Sequence, residues 1–428
     1  MALAYVPSAG RFGSESEMIY AIRNDGTLCF WDSNRHAGIV PGLRSVVQII
    51  SSDFACLALT RDGSVYVSPN RIGLFGNHSD GFQRVELTGI ASDGQPRAMQ
   101  GVTMMACSRS LFLFMTPREL FFHGVHKLYN KQEQQIVEFN LQGVMVEMAT
   151  PVSMVAIGDT SLLFLMHDGQ LKRIRTSDFN DYDTFECPER GDRFDFVACS
   201  GETALAVTRQ GQLYVLGQND KGQLGLGGDI AVVRDPHGRA VSKQFTGEVD
   251  VRQPRRVPLG KRVRMAAAGP FQIAAVTDDG ELWACGFNNH GQLGLEQRDI
   301  TRFARVLGGM ALTSVVVTQY QTLALARDGR VVVVRDPNPG PRRSFFEADN
   351  ATRVTVLNDD AAAGGVGLFL PVPPALFRAF AAEGRHPLPA DLLPGIYMRT
   401  QVASETGQAI PAASPLHRLH GHWAPGAA

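Results

Sequence analysis

The sequence predicts an all-β fold, a seven-bladed β-propeller, and three observations support this prediction. A fifteen-residue pattern recurs seven times within residues 18–335. Each copy places apolar residues on both sides of a short turn, which is typical of a β-hairpin. Many positions of the hairpin are apolar on both strand faces, as in a sheet that is buried on both sides.

The repeat is clearest when Thr203–Gly217, "TALAVTRQGQLYVLG", is used as the template. The seven copies begin at Met18, Ala55, Ser110, Ser161, Thr203, Gln272 and Gln321. Successive copies start 37, 55, 51, 42, 69 and 49 residues apart. Periods of this length are typical of propellers and solenoids.

Each copy contains a dipeptide expected to form the hairpin turn, because glycine adopts positive φ without steric cost. The third copy has Pro-Arg in place of Asp-Gly or Gln-Gly. The predicted turns are Asp25-Gly26, Asp62-Gly63, Pro117-Arg118, Asp168-Gly169, Gln210-Gly211, Asp279-Gly280 and Asp328-Gly329. Two residues after the turn glycine stands an apolar residue, for example Leu213 or Leu282, which we expect in the core between blades.

An isolated hairpin is marginally stable, whereas seven hairpins packed around an axis bury one another. We therefore predict one ring over residues 1–370. Strands at Val354–Leu357 and Val366–Leu370 are expected within Thr352–Val372. This segment should close the ring by sharing a blade with Leu3–Pro7.

Two copies continue into longer, similar segments, "YVLGQNDKGQLGLG" and "WACGFNNHGQLGL". They resemble the signature of the RCC1-like (regulator of chromosome condensation) repeat family. The matching positions are Gly217, Asn219, Gly222, Gln223, Leu224 and Gly225, and Gly286, Asn288, Gly291, Gln292, Leu293 and Gly294. The resemblance implies seven-bladed propellers of repeats about 50 residues long. It is strong over 195–335 and weak elsewhere in 1–370.

The asparagines and glycines of these segments are the residue types of a tight turn, and the leucines after them are expected to pack between blades. Neither segment contains the G-x-G-x-x-G or G-K-[ST] pattern of a phosphate-binding loop. Their chemistry is therefore interpreted as structural.

Composition excludes several function classes. The 428 residues carry a formal net charge of −1 and no block of like charge, so no nucleic-acid partner is expected. None of the six cysteines has C-x-x-C spacing, which favours buried thiols in a reducing compartment. The sequence has no signal peptide, presequence or membrane-span pattern, so we expect no membrane partner and a cytoplasmic location, with cytoskeleton or cilium association as a candidate.

Two stretches depart from the repeat. Gly228–Phe245 accounts for the 69-residue spacing and is expected to project from one rim, either as a binding loop or as a tolerated insertion. Residues 371–428 hold nine of the 23 prolines and are predicted to be an extended Pro-rich tail that docks on a partner or back on the ring. The predicted anchors are Leu376, Phe377, Phe380, Leu392, Leu393, Ile396 and Tyr397.

No catalytic, cofactor-binding or metal-binding residue is predicted. Asp178–Glu189 starts like a calcium loop but has Asp183 where the loop needs glycine. His417, His420 and His422 lack accompanying cysteines or carboxylates. The sequence contains no G-x-S-x-G or H-E-x-x-H motif.

Three function hypotheses follow. The first is a non-enzymatic protein-interaction scaffold, a structural subunit of a larger intracellular assembly, with cytoskeletal, ciliary or flagellar structures as candidates. The second, implied by the family resemblance, is a guanine-nucleotide exchange factor for a Ran-type small GTPase. The third, an enzyme that uses the central channel, has no supporting motif. Fold alone does not choose among them, and we favour the scaffold.

Overall fold

The structure is a computed structural model. It describes residues 3–6, 18–22, 26–32, 37–51, 56–68, 81–91, 94–108, 111–130, 135–140, 143–148, 152–175, 178–288, 291–295, 299–317, 321–327, 331–335, 353–356, 401–403 and 409–410. Every regular element in these residues is a β-strand, which confirms the predicted all-β class.

Three sheets are formed by the first part of the chain. The first contains β1 (Leu3–Val6), β2 (Met18–Ile22), β3 (Leu28–Asp32) and β4 (Ala37–Ile39). The second contains β5 (Val46–Ser51), β6 (Cys56–Thr60), β7 (Val65–Val67) and β8 (Gln83–Val85). The third contains β9 (Thr88–Ile90), β10 (Pro96–Ala98), β11 (Met104–Cys107), β12 (Leu111–Met115), β13 (Glu119–Asn130), β14 (Gln135–Asn140) and β15 (Val144–Glu147).

The later sheets repeat a four-stranded antiparallel plan. The fourth contains β16 (Val152–Ile157), β17 (Ser161–Met166), β18 (Leu171–Arg175) and β19 (Asp178–Phe185). The fifth contains β20 (Phe194–Ser200), β21 (Thr203–Thr208), β22 (Leu213–Gln218) and β25 (Asp250–Arg256), with a separate hairpin, β23 (Ile230–Arg234) and β24 (Ala240–Phe245), inserted before β25. The sixth contains β26 (Val263–Ala268), β27 (Gln272–Thr277), β28 (Leu282–Phe287) and β29 (Asp299–Val306). The seventh contains β30 (Leu312–Val317), β31 (Gln321–Ala326), β32 (Val331–Arg335) and β33 (Arg353–Val356).

The sheets pack against one another in chain order, each through one strand at or near the end of its sheet. Strand β5 lies against β1 and β11, β11 against β16, β16 against β20, β20 against β26, and β26 against β30. Burial falls across the fifth sheet: β20 is almost wholly buried, whereas β25 at the other end of that sheet is mostly exposed. This gradient is the one expected of sheets arranged with their first strands around an axis.

The described residues contain seven sheets of four or more strands, one for each sequence repeat. The closed seven-bladed ring, like the domain boundary at residue 370, stays a prediction.

The predicted closure is wrong. Strand β1 pairs with β2 in the first sheet, and β33 pairs with β32 in the seventh. Each of these two strands thus completes a separate four-stranded sheet, β1 with the strands of residues 18–39 and β33 with those of residues 312–335. The predicted strand at Val366–Leu370 lies outside the described residues.

The predicted turns lie between strands wherever both residues are described: Asp62-Gly63, Pro117-Arg118, Asp168-Gly169, Gln210-Gly211 and Asp279-Gly280. Gly26 also lies in a turn, whereas Asp25, Asp328 and Gly329 are outside the described residues. The core prediction is confirmed as well, because Leu213 and Leu282 are 2% and 1% exposed.

The turn glycine of a sheet also joins that sheet to the next. Gly211 has φ of 82°, and its carbonyl accepts a hydrogen bond from the Val263 N–H at 2.8 Å, at the start of the following sheet. The carbonyl of Gly280 accepts one from the Leu312 N–H at the same distance. A Cβ built on Gly63 would lie 2.7 Å from the Cα of Gly101. The glycine column therefore follows from both positive φ and close backbone approach.

Candidate interaction surface

The two asparagines of the signature segments organise their own turns. The Asn219 Oδ1 accepts a hydrogen bond from the Leu224 N–H at 3.0 Å, and its Nδ2 donates to the Glu248 carbonyl at 2.8 Å. The Asn288 Oδ1 accepts from the Leu293 N–H at 2.8 Å. Both side chains are buried, at 1% and 0% exposure. Since both are fully engaged with the backbone, they serve the fold rather than a ligand.

The signature segments also form hydrogen bonds between consecutive sheets. The thiol of Cys285, in the sixth sheet, donates to the Gln223 carbonyl of the fifth at 3.3 Å. The hydroxyl of Thr322, in the seventh sheet, donates to the Gln292 carbonyl of the sixth at 2.6 Å. Leu224 and Leu293 are buried in the same core cluster. These contacts agree with the structural role inferred for the two segments from sequence.

The insertion at 228–245 is folded, and its base is fixed to the sixth sheet. The Gly227 N–H donates to the Thr301 carbonyl at 2.7 Å, and the Thr301 hydroxyl donates to the Gly228 carbonyl at 2.7 Å. Phe245 is 9% exposed and covers two glycines, since a Cβ built on Gly228 or Gly247 would lie 2.7 or 2.4 Å from its ring. The hairpin therefore starts from a rigid base on strand β29.

The tip of this hairpin is closed by Asp235. Its Oδ1 accepts hydrogen bonds from the N–H groups of His237 and Arg239, at 2.9 and 2.8 Å. The guanidinium of Arg234 donates to the Gly238 carbonyl at 2.8 Å. Sequence analysis missed the hairpin, although the run "IAVV" before "DPHG" carried its signal.

The hairpin exposes aliphatic side chains between this base and tip. Val232, Val233 and Val241 are 45%, 39% and 53% exposed, and Val249, just after the hairpin, is 46% exposed. Exposed aliphatic side chains on an ordered projection are typical of protein-binding surfaces.

The third sheet offers a second exposed surface, beyond the four-stranded plan. Strand β9 joins β15 in parallel, and β10 extends the sheet further outward. Ile90 and Val146, on neighbouring strands, are 53% and 43% exposed.

Several ionisable groups among the described residues form ion pairs. The segment that starts like a calcium loop is mostly strand β19, and the carboxylate of Asp183 accepts hydrogen bonds from Arg173 at 2.8 Å and Arg175 at 2.9 Å. In the part of the chain that the structure describes, no three His, Cys, Asp or Glu residues cluster as metal ligands.

Cysteines in the described residues do not resemble nucleophiles. Cys56, Cys107, Cys199 and Cys285 are buried, as predicted, whereas Cys187 is only half-buried, and no disulfide joins these five cysteines. Burial raises the pKa of the Cys285 and Cys199 thiols well above their usual range. Thiols held protonated in this way are unreactive.

All seven predicted tail anchors lie outside the described residues. Two tail segments are described, β34 (Gln401–Ala403) and β35 (Ala409–Ile410), which pair with each other. Strand β34 also pairs in parallel with β5, with Gln401 beside Ile50 and Val402 beside Ser51. At least this part of the tail thus lies on its own ring.

These features define a repeat protein made of consecutive β-sheets with surface elements added to a common core. A model of the Regulator of chromosome condensation (RCC1) repeat matches residues 210–276 and 279–325. Residues 210–325, the part that holds the two signature segments, therefore contain RCC1-like repeats.

Two curated relatives match part of the chain. The Ultraviolet-B receptor UVR8 of Arabidopsis thaliana is 31% identical over 142 residues, which cover 32% of this chain and 28% of the receptor. The X-linked retinitis pigmentosa GTPase regulator of Mus musculus is 32% identical over 103 residues, covering 24% of this chain and 9% of the regulator. The matches thus span less than a third of either relative.

Among solved structures, yeast RCC1 (Prp20) bound to Kap60 superimposes with a TM-score of 0.50 at 18% identity, over 71% of this chain and 77% of that chain. This likeness concerns the fold. In the residues that the structure describes, no helix is long and apolar enough to cross a membrane.

Proposed function

We propose that this chain is a non-enzymatic protein-interaction scaffold, a structural subunit of a larger intracellular assembly. The ring holds its elements in place, and partner proteins bind to elements added to it: the β23–β24 hairpin and the tail anchors within residues 371–428. Cytoskeletal or ciliary structures are the candidate assemblies, and the cytoplasm is the candidate location. No cofactor, nucleic acid or membrane takes part.

The observation that carries this proposal is the exposed hairpin. Val232, Val233 and Val241 stand in solvent on an element whose base and tip are both hydrogen-bonded. Binding elements are commonly irregular additions to a rigid scaffold. The signature residues, in contrast, make contacts within the fold, such as the hydrogen bond between Asn219 and Leu224.

The alternative is a guanine-nucleotide exchange factor for a Ran-type GTPase. One observation favours it: a relative named a GTPase regulator is 32% identical to this chain over 103 residues. In that case the ring itself would bind the GTPase, and the tail would be dispensable.

A paired experiment separates the two functions. The full chain and a shortened chain ending at Leu370 are used in pull-downs from lysate and in stopped-flow nucleotide release from a Ran-type GTPase. Thermal melting of the shortened chain establishes that it folds. We expect that neither chain accelerates nucleotide release. We expect the shortened chain to lose partner proteins that the full chain retains. Release accelerated by orders of magnitude, with an unchanged set of bound proteins, would overturn the scaffold proposal.

A further inference from the structure

We propose that the free edge of strand β23 is a docking site for an extended segment of a protein partner, which adds to the hairpin as a third strand. The segment is rich in β-branched residues and carries an acidic residue at one end. This inference rests on the proposed scaffold function and names the chemistry of one of its partners.

The composition of β23 sets it apart from the outer strands of three other sheets. A free strand edge can pair with another chain, and proteins usually protect it with charged residues, proline or short length. Strand β10 contains Pro96 and Arg97, β25 contains Arg252 and Pro254, and β4 has three residues. Strand β23 reads "IAVV" before Arg234, with no such protection over those four residues.

The backbone of β23 faces outward at known positions. The Thr246 N–H donates to the Asp229 carbonyl at 2.9 Å, so the backbone of Asp229 points toward β24. Antiparallel pairs alternate along a strand, so the N–H and C=O groups of Ile230 and Val232 point away from β24. The structure pairs β23 with β24 and, among the described residues, with no third strand.

The side chains favour an apolar segment with an acidic end. Val232 and Val233 are on opposite faces of the hairpin because neighbouring residues in a strand alternate. Both are more than a third exposed, so both faces of the edge offer apolar contact. At the tip, Arg234 and Arg239 are both exposed, whereas Asp235 is occupied by two backbone N–H groups. A carboxylate at the end of the added strand would meet these two arginines.

The size of the edge argues against a second copy of this chain as the occupant. Five residues of strand extend about 17 Å. Stable interfaces between folded proteins usually bury roughly 1,600 Å² in total, far more than one strand edge supplies. An extended segment gains its affinity from main-chain hydrogen bonds and alternate side-chain contacts, and this edge supplies both.

Binding is tested on the full chain with a fluorescent ten-residue peptide of alternating valine and threonine and a glutamate at each end. Fluorescence polarisation gives the affinity for wild type, for Val232→Lys and for the matched control Val249→Lys, a nearby valine of similar exposure outside the hairpin. We expect Val232→Lys to weaken binding about tenfold or more and Val249→Lys to leave it unchanged. Thermal melting of both variants should match wild type because both side chains are exposed.

A second measurement reports strand addition itself. Two forms of the peptide are N-methylated at alternate residues, one at odd and one at even positions. Strand addition uses every second N–H, so one form should bind and the other should not. Equal weakening by the two lysine variants, or indifference to which set is methylated, would overturn the proposal.

Other occupants give distinct results. Dimers that Val232→Lys dissociates in sedimentation would assign the edge to a second copy and overturn the proposal. Peptide binding seen only after residues 371–428 are removed would assign it to the tail, with the same consequence. If the peptide does not bind this edge, the pull-down with the full and shortened chains still tests the scaffold function. The two proposals can therefore fail separately.

Discussion

Sheets five to seven and sheets one to four share one hairpin, yet different side chains join them to their neighbours. Between the fifth and seventh sheets, the signature segments make the junctions, with Cys285 bonded to the Gln223 carbonyl and Thr322 to the Gln292 carbonyl. Between the second and third sheets, a single buried glutamine does so. The Gln48 Nε2 donates to the Met105 carbonyl, and its Oε1 accepts from the Met105 N–H, both at 2.8 Å.

The difference shows which part of the repeat is required. The hairpin and its turn recur in both halves, whereas the Gly-Gln-Leu-Gly segment is one of at least two ways to hold adjacent sheets. A chain can therefore lose the signature from most copies and retain the sheets, as this one has.

The largest expected effect tests whether both halves share one core. Leu213 of the fifth copy and Leu120 of the third occupy the same repeat position and are 2% and 5% exposed. We expect Leu213→Ala and Leu120→Ala each to cost about 2–5 kcal/mol of unfolding free energy in chemical denaturation, the usual range for a buried leucine. If only Leu213→Ala lowered the unfolding free energy, this repeat position would not mark the core in both halves.

The next effect tests the signature junction. Asn288→Ala leaves the Leu293 N–H and the Leu295 carbonyl without their side-chain partner. Buried groups left unpaired cost about 1–3 kcal/mol each. Denaturant unfolding should show a loss in that range or above it. The control is Gln210→Ala at an exposed turn position, which should stay within about 0.5 kcal/mol of wild type.

The junction of the other half is tested by Gln48→Leu. Leucine removes both hydrogen bonds to Met105 while keeping an apolar side chain between the sheets. We expect a loss of about 1–3 kcal/mol. Wild-type stability would mean that this junction depends on packing alone, and the contrast between the halves would weaken.

Sequence was sufficient for the parts of the fold that are local. The turn dipeptides and the buried column of Leu213 and Leu282 follow from residues within one repeat. Strand partnership at the chain ends did not, since nothing in Leu3–Pro7 distinguishes pairing with Met18–Ile22 from pairing across the ring. Gln48 was also missed, because its partner Met105 is 57 residues away and no motif links them.

The candidate surface was predicted in position but not in form. The 69-residue spacing located the insertion, yet the contact that fixes its base, between Gly228 and Thr301 in the next sheet, joins residues 73 positions apart. The tail anchors remain a prediction from sequence alone.

The smallest effect concerns the turn of the sixth sheet. Lys261 bonds to Asp279 at 2.7 Å, and with the Thr277 hydroxyl it lowers the pKa of Asp279 to about 2. A lowered carboxyl pKa stabilises the fold above the unfolded pKa near 4, and this contribution is lost as the pH falls toward about 2. At the second sheet's turn, the pKa of Asp62 is lowered chiefly by the Thr60 hydroxyl.

Lys261→Ala should therefore flatten the fall in melting temperature between pH 4 and pH 2. The effect should be small because the pair is solvent-exposed. Gln210→Ala, at an exposed uncharged position in the turn of the fifth sheet, is the control and should leave the profile unchanged. An unaltered profile for Lys261→Ala would show that Thr277 alone holds Asp279, as Thr60 holds Asp62.

The central claim is that the ring carries stability and the added elements carry binding, and shortening the hairpin tests it most directly. Ile230 and Phe245 are partners across the hairpin, so residues 231–244 can be replaced by two glycines while Phe245 keeps its place over Gly228 and Gly247. Melting temperature and quantitative affinity purification are then measured on the same preparation. We predict an unchanged melting temperature and reduced recovery of partner proteins. A lowered melting temperature with full recovery would contradict the account.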